Sequence, residues 1–129
     1  MITEDYVSFD VAKLLKEKGF DEKCFQYWYE ENNELVHSRS IHPIQNITNP
    51  CFFGPAAPTQ SIAMKWLREV HKLHITILWD CGAYIGKNSF RYHIDRMDNY
   101  EDKGYNKIGF DSNEEAVEAA IKYCLENLI

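Results

Sequence analysis

The sequence predicts an α+β fold in which three helices pack on an antiparallel sheet of about four to five strands. Three segments have the apolar spacing of amphipathic helices, the segments between them alternate like strands, and no repeat or low-complexity tract interrupts them. The predicted element order is α-β-β-loop-α-β-β-(β)-α. With 129 residues, 45% apolar and 26% charged, the chain is expected to form a single domain over residues 1–129.

The first element is a helix over residues 8–18. Ser8 is a favourable N-cap residue, and Gly19 is placed to end the helix. Phe20 then stands where a Schellman turn would fold it back onto Leu15.

A hairpin and a long loop are expected next. Residues 23–30 alternate like a strand, and turn-forming residues separate them from a second short strand at 34–37. Residues 38–58 hold all four prolines and show neither helical nor strand spacing, so they form a Pro-rich loop. We expect Phe52 and Phe53 to anchor this loop, since two adjacent phenylalanines are costly to leave in water.

The second helix is expected to run from residue 60 to about residue 73, with Thr59 as its N-cap. Its apolar positions follow helical spacing and predict a buried stripe. The stripe consists of Ile62, Ala63, Trp66, Leu67 and Val70.

Two alternating runs, residues 74–79 and 89–97, predict a hairpin or, with residues 83–85, a three-stranded meander. Alternation directs Phe90, Tyr92 and Ile94 to the core. The opposite face then carries Arg91, His93 and Asp95.

A short strand over residues 107–110 and a closing helix complete the fold. Ser112 and Glu115 have the spacing of a capping box, in which the glutamate reaches back to the cap amide. The helix that they start is expected to continue to the C-terminus.

Composition and charge exclude several classes of protein. No apolar run approaches the length of a membrane span, and the acidic start does not resemble a signal peptide, so we expect a cytoplasmic protein. The four cysteines are widely spaced without a Cys-x-x-Cys pair, which is typical of reduced thiols. The net charge of −6 argues against broad affinity for nucleic acid, although residues 37–97 are net basic.

The most coherent group of candidate binding residues is basic. If the second helix and the following hairpin lie side by side, these side chains could converge on a phosphate or an acidic protein. The group consists of Lys65, Arg68, Lys72, Arg91 and His93. Trp28, Trp79 or Tyr84 could add stacking on a single-stranded base.

His71 and His74 are candidate metal ligands, three residues apart at a helix end. Further ligands would come from Cys81, His93 or Asp95. The helical His-Glu-x-x-His pattern of zinc proteases is absent, and histidines at a helix C-terminus also suit the helix dipole. A cysteine nucleophile would need a thiolate-stabilising site and a nearby histidine, and the sequence singles out no such pair.

Four segments share a pattern of caps, core positions and charges: the opening Asp10-x-x-x-Leu14-Leu15-x-x-x-Gly19-Phe20, the motif Ala57-Pro58-Thr59-Gln60, residues 63–71 and residues 112–128. In these segments the chain resembles a group of small proteins found in gut anaerobic bacteria and their prophages. The resemblance implies a phage or mobile-element setting, in which small accessory proteins act by binding host or phage components. It assigns no catalytic or ligand residues.

Three functions are therefore considered. The first is a non-enzymatic accessory or interaction protein without a cofactor, whose partner is a protein or a second copy of the chain. The second is a binder of nucleic acid or an acidic protein through the basic group, and the third is a metal-site protein or hydrolase using His71 and His74.

Overall fold

The computed structural model describes residues 2–37, 43–47, 54–82 and 86–129. Over these ranges the chain forms α1 (Phe9–Glu17), β1 (Gln26–Tyr29), β2 (Glu34–His37), α2 (Gln60–His71), β3 (Leu73–Cys81), β4 (Asn88–Arg96), β5 (Tyr105–Phe110), α3 (Asn113–Tyr123) and a π-helical turn (Cys124–Leu128). The predicted α+β class, with three helices and antiparallel strands, is confirmed. Within the same ranges, no helix is long and apolar enough to cross a membrane.

The strands form two sheets rather than the single predicted one. Contacts group the chain into two compact units, residues 1–63 and 64–129, here named the N-terminal unit and the C-terminal unit. The β1–β2 hairpin belongs to the first unit, and the sheet β3-β4-β5 belongs to the second. One cause of this division lies next to β1. The edge of β1 that does not face β2 is already hydrogen-bonded to the chain around Pro55 and Ala57. The Trp28 amide donates to the Pro55 carbonyl at 3.0 Å, and the Ala57 amide donates to the Gln26 carbonyl at 2.9 Å.

Helix α1 has the predicted caps at both ends. Ser8 Oγ accepts a hydrogen bond from the Val11 amide at 3.3 Å. Gly19 adopts a φ of +92°, and the Phe20 amide returns to the Leu15 carbonyl at 2.9 Å, as in a Schellman motif. Phe20 and Leu15 are both fully buried, so the turn adds an apolar contact to the core of this unit.

The described parts of the Pro-rich loop are held by a polar side chain. Asn46 is only 4% exposed. Its Nδ2 donates to the Phe20 carbonyl at 3.0 Å, and its Oδ1 accepts from the Ala56 amide at 3.0 Å. One side chain therefore connects the end of α1 to the chain that enters α2. The expected anchors Phe52 and Phe53 lie outside the described residues.

Gly54 lies where the loop approaches β1 most closely. A Cβ atom at this position would lie 1.6 Å from the Trp28 carbonyl oxygen, a distance that no side chain can tolerate. The residues that follow Gly54 are buried as far as Pro58. Glycine is therefore required for this segment to lie against β1.

Helix α2 begins as predicted and ends earlier than predicted. Thr59 Oγ1 accepts from the Ile62 amide at 3.2 Å. The helix stops at His71 because Lys72 takes a φ of +58° and Leu73 opens β3. Of the predicted buried stripe, Ala63, Trp66 and Leu67 are buried.

The prediction that the other two members of that stripe are buried is wrong. Ile62 is 43% exposed and Val70 is 56% exposed. At about 100° per residue, Ile62 lies beside the arc of the buried residues, so the covered face of the helix is narrower than predicted. Val70 lies within that arc but in the last turn of α2, so the covered face is also shorter than predicted.

Helix α3 covers one face of the three-stranded sheet. Tyr92 and Ile94 of β4 are buried on this face, as predicted. Phe90, which shares their face, is only partly buried. The Tyr123 ring lies 6.4 Å from the Tyr92 ring and 5.5 Å from the Tyr105 ring. The proposed additional strand at residues 83–85 lies outside the described residues.

Both ends of α3 are held by side chains. Ser112 Oγ accepts from the Glu115 amide at 3.1 Å, while Glu115 Oε2 accepts from the Asp111 amide, one residue before the expected cap amide. The helix continues into the π-helical turn, where Arg96 donates to the Leu128 carbonyl at 3.3 Å. Arg96 also pairs with Asp102 at 3.4 Å, so a single guanidinium holds the turn and the loop before β5.

Asn46→Ala is expected to lower the free energy of unfolding by about 2–4 kcal/mol, because it leaves a buried carbonyl and a buried amide without their partner. Urea denaturation measures the change. The control is Asn32→Ala, which removes a side-chain bond to the exposed Glu34 amide and should change stability by less than about 0.5 kcal/mol. Equal effects of the two substitutions would contradict this role for Asn46.

Gly104→Ala is expected to destabilise the protein more than Gly86→Ala. Both glycines have nearly the same left-handed backbone, with φ of +79° and +78°. A Cβ at Gly104 would lie 2.6 Å from the Ile94 carbonyl oxygen and 2.8 Å from the His93 ring, whereas at Gly86 no atom of the described residues lies within 4 Å. The difference should be about 1–3 kcal/mol by urea denaturation. Equal stability of the two variants would contradict the close packing described at Gly104.

Candidate functional site

A cleft of about 280 Å³ lies in the N-terminal unit. Four parts of the chain line it: the segment before α1, the start of β1, the end of β2 and the entry to α2. The lining residues are Glu4, Tyr6, Lys23, Cys24, Phe25, Gln26, His37, Ala57, Pro58, Thr59 and Ile62. None of the site residues predicted from the sequence is among them.

The first wall is formed where the N-terminal segment pairs with the entry to α2. The Val7 amide donates to the Pro58 carbonyl at 3.1 Å, and the Gln60 amide donates to the Asp5 carbonyl at 2.9 Å. Between these bonds Tyr6 forms an antiparallel bridge with Thr59. The backbone of this wall is therefore hydrogen-bonded on both sides of the cleft-lining residues.

The second wall is the chain that leads into β1. Cys24 forms an antiparallel bridge with Ile44, in which the Cys24 amide donates to the Ile44 carbonyl at 2.9 Å and the Ile44 amide donates back at 2.6 Å. The Ala57 amide bonds the Gln26 carbonyl, which links this wall to the first. The cleft is thus bordered by backbone that is already paired.

Two large apolar side chains of the cleft remain in contact with solvent. Phe25 is 47% exposed, and Ile62 is 43% exposed. Ala57 and Pro58, which also line the cleft, are buried. The helical spacing of Ile62 predicted a buried side chain. Its exposed side chain instead lines a concave surface.

The end of the hairpin contributes a polar pair. Gln26 Nε2 lies 2.6 Å from His37 Nδ1, and the two residues are direct partners in the β1–β2 register. When the Gln26 amide donates, His37 Nδ1 is the acceptor and the ring proton lies on Nε2. The pair then retains an acceptor at Gln26 Oε1 and a donor at His37 Nε2.

The cleft also carries one charge of each sign. Glu4 precedes Tyr6 on the first wall, and Lys23 precedes Cys24 on the second. Both residues are exposed. Among the ion pairs of the described residues, neither side chain is found within 4.0 Å of an opposite charge.

The environment of the Cys24 thiol in this cleft does not favour a nucleophilic role. It is buried and donates to the Glu22 carbonyl at 3.6 Å. Burial raises its pKa to about 12, and the Glu22 carboxylate adds to the rise. The thiol therefore stays protonated at neutral pH, and a nucleophilic cysteine needs the thiolate.

The predicted basic group is divided between α2, the position directly after that helix and β4. Most of its members have local partners. Lys65 Nζ lies 4.0 Å from Glu69 Oε1, and Lys72 Nζ donates to the Glu69 carbonyl at 3.0 Å. Arg68, also on α2, is partly buried.

The two members on β4 lie on the sheet face opposite α3. Arg91 Nε lies 3.6 Å from the buried Asp80 carboxylate, and His93 Nε2 lies 2.8 Å from Asp95 Oδ1. The Asp80 carboxylate partly neutralises the Arg91 guanidinium, and the His93 ring is hydrogen-bonded to Asp95.

The two candidate metal histidines have different surroundings. The His71 ring packs edge-on against Trp66 at 4.7 Å, and burial lowers the pKa of His71 below its ordinary range. His74 lies on β3 opposite Asp95. In the ranges that the structure describes, no three His, Cys, Asp or Glu side chains are grouped to hold a metal ion.

Comparison of the chain with protein-family models, with curated proteins and with solved structures found no match. The resemblance to proteins of gut anaerobic bacteria and their prophages therefore stays a prediction from the sequence.

Thiol reactivity tests the assignment of Cys24 as inert. In a Cys51→Ser variant, we expect Cys81 to react rapidly with a disulfide reagent because it is exposed. Cys24 and Cys124 should react only after denaturation, since both are buried and burial raises both pKa values to about 12. Rapid modification of Cys24 in the native protein, located by mass spectrometry, would contradict the assignment.

Proposed function

We propose that this protein is a non-enzymatic interaction protein whose cleft in the N-terminal unit binds a segment of a partner protein. The observation that carries the proposal is the exposure of Phe25 and Ile62 within one cleft. The proposal includes the cytoplasmic setting and the phage or mobile-element origin that the sequence suggests.

The energetics of the apolar lining support binding. Burying a whole Phe or Ile side chain contributes about 1.5–3 kcal/mol, so covering the exposed half of each contributes roughly 1 kcal/mol. Interface energy is usually concentrated in a few such side chains that enter or line a pocket. A partner that covers both Phe25 and Ile62 therefore gains affinity that single exposed residues elsewhere do not offer.

The backbone of the cleft supports the same proposal. Its walls are held by the Tyr6–Thr59 and Cys24–Ile44 bridges, so little order has to be created when a partner binds. A preformed site loses less conformational entropy on association. The buried Cys24 thiol of the lining stays protonated, which argues against catalysis by a cysteine nucleophile in this cleft.

The experiment is a selection of random dodecapeptides against the full-length protein, followed by titration of the selected peptides. The double variant Phe25→Ser/Ile62→Ser is expected to lose at least about tenfold in affinity, which corresponds to about 1.4 kcal/mol. The matched control is Val70→Ser/Trp79→Ser, since these residues are 56% and 59% exposed but lie outside the cleft. Its affinity should change by less than about twofold.

Two results would contradict the proposal. One is a selection that enriches no peptide. The other is a set of peptides that bind the Phe25→Ser/Ile62→Ser protein as tightly as the unmodified protein, or that lose affinity only in the control variant.

A further inference from the structure

We infer that the cleft recognises a peptide segment with one large apolar side chain between an acidic and a basic residue. This inference rests on the proposed function and adds the chemistry of the bound segment. It follows from the size of the cleft, its hydrogen-bonding groups and its two charges, neither of which is found in an ion pair among the described residues.

The size of the cleft limits what can enter. Sites for drug-sized ligands usually measure about 300–1,000 Å³, and this cleft of about 280 Å³ lies just below that range. It therefore suits a single large side chain with the backbone beside it. Phe25 and Ile62 offer this side chain apolar contact, and the buried Ala57 and Pro58 add to the apolar lining.

The hydrogen-bonding groups match a peptide unit. Each peptide unit has one N–H donor and one carbonyl acceptor. With Gln26 donating to His37, Gln26 Oε1 remains available as an acceptor and His37 Nε2 as a donor. A hydrocarbon ligand would leave both groups unused, and an inorganic anion would use only the donor.

The charges of Glu4 and Lys23 favour one orientation of the bound segment along the cleft. Glu4 and Lys23 lie on different walls, and neither is found in an ion pair among the described residues. A basic residue at one end of the segment would meet Glu4, and an acidic residue at the other end would meet Lys23. Exposed pairs are weak, so charge sets the preference between segments while the apolar side chain supplies most of the affinity.

The test uses four acetylated and amidated pentapeptides, titrated into the full-length protein and followed by the amide resonances of the cleft residues. Their sequences are Glu-Gly-Leu-Gly-Lys, the reversed Lys-Gly-Leu-Gly-Glu, the uncharged Gln-Gly-Leu-Gly-Gln and the apolar-deleted Glu-Gly-Ser-Gly-Lys. One of the two charged leucine peptides should bind about threefold to tenfold more tightly than the uncharged one, and the serine peptide should bind most weakly.

The decisive variant exchanges the charges of the cleft. In Glu4→Lys/Lys23→Glu, the preference should switch to the charged peptide of opposite order. The exchange replaces one acid and one base by each other, so the net charge is unchanged. Because both positions are exposed, it disturbs no buried contact. The control is Lys65→Glu/Glu69→Lys, an exposed pair on α2, which should leave the preference unchanged.

The outcomes separate the inference from the proposed function. Equal binding of the charged and uncharged leucine peptides, with loss of binding for the serine peptide, would overturn the inference and leave the proposed function standing. If no leucine peptide shifts the cleft resonances and the dodecapeptide selection also fails, the proposed function falls. Free L-leucine that binds as tightly as the best pentapeptide would overturn the inference in favour of a free amino acid.

Discussion

The structure of the N-terminal unit depends on the buried side chain of Asn46. Its amide nitrogen bonds the carbonyl of Phe20 at the end of α1, and its oxygen bonds the amide of Ala56 at the entry to α2, each at 3.0 Å. These two segments are distant in the sequence, and a short side chain fixes their separation. An asparagine suits this position because it is both donor and acceptor at the same end. An apolar residue there would leave two buried backbone groups without partners.

The position of the cleft follows from this interaction. Once Ala56 is fixed, the next residues reach β1 through the Ala57 amide and the N-terminal segment through the Pro58 carbonyl. Thr59 then starts α2 with Ile62 in its first turn, and Ile62 lines the same cleft as Phe25. The backbone hydrogen bonds of these segments therefore keep the apolar lining of the cleft accessible to solvent. Maintaining such a surface is expected for a binding site, since an apolar patch on a soluble protein otherwise promotes association.

Sequence reasoning succeeded where a few neighbouring residues decide the structure. The Ser8 and Ser112 caps, the Gly19 turn and the β1–β2 hairpin are local, and each was predicted because its pattern requires no distant contact. The division into two sheets could not be predicted in this way, because it depends on the loop residues that occupy the second edge of β1. The candidate site was missed for the same reason. The helical spacing of Ile62 indicates an apolar face but does not reveal whether protein covers it, and nothing in the sequence links Ile62 to Phe25.

We propose that the cleft lined by Phe25 and Ile62 is a preformed binding site. The most direct test is an isotope-filtered NOE experiment on the labelled protein with an unlabelled peptide from the dodecapeptide selection. We expect intermolecular NOEs from an apolar side chain of the peptide to the Ile62 methyl groups and the Phe25 ring, with little change in the amide shifts of Asn46 and Ala56. Intermolecular NOEs confined to Val70, Trp79 or other residues outside the cleft would contradict it.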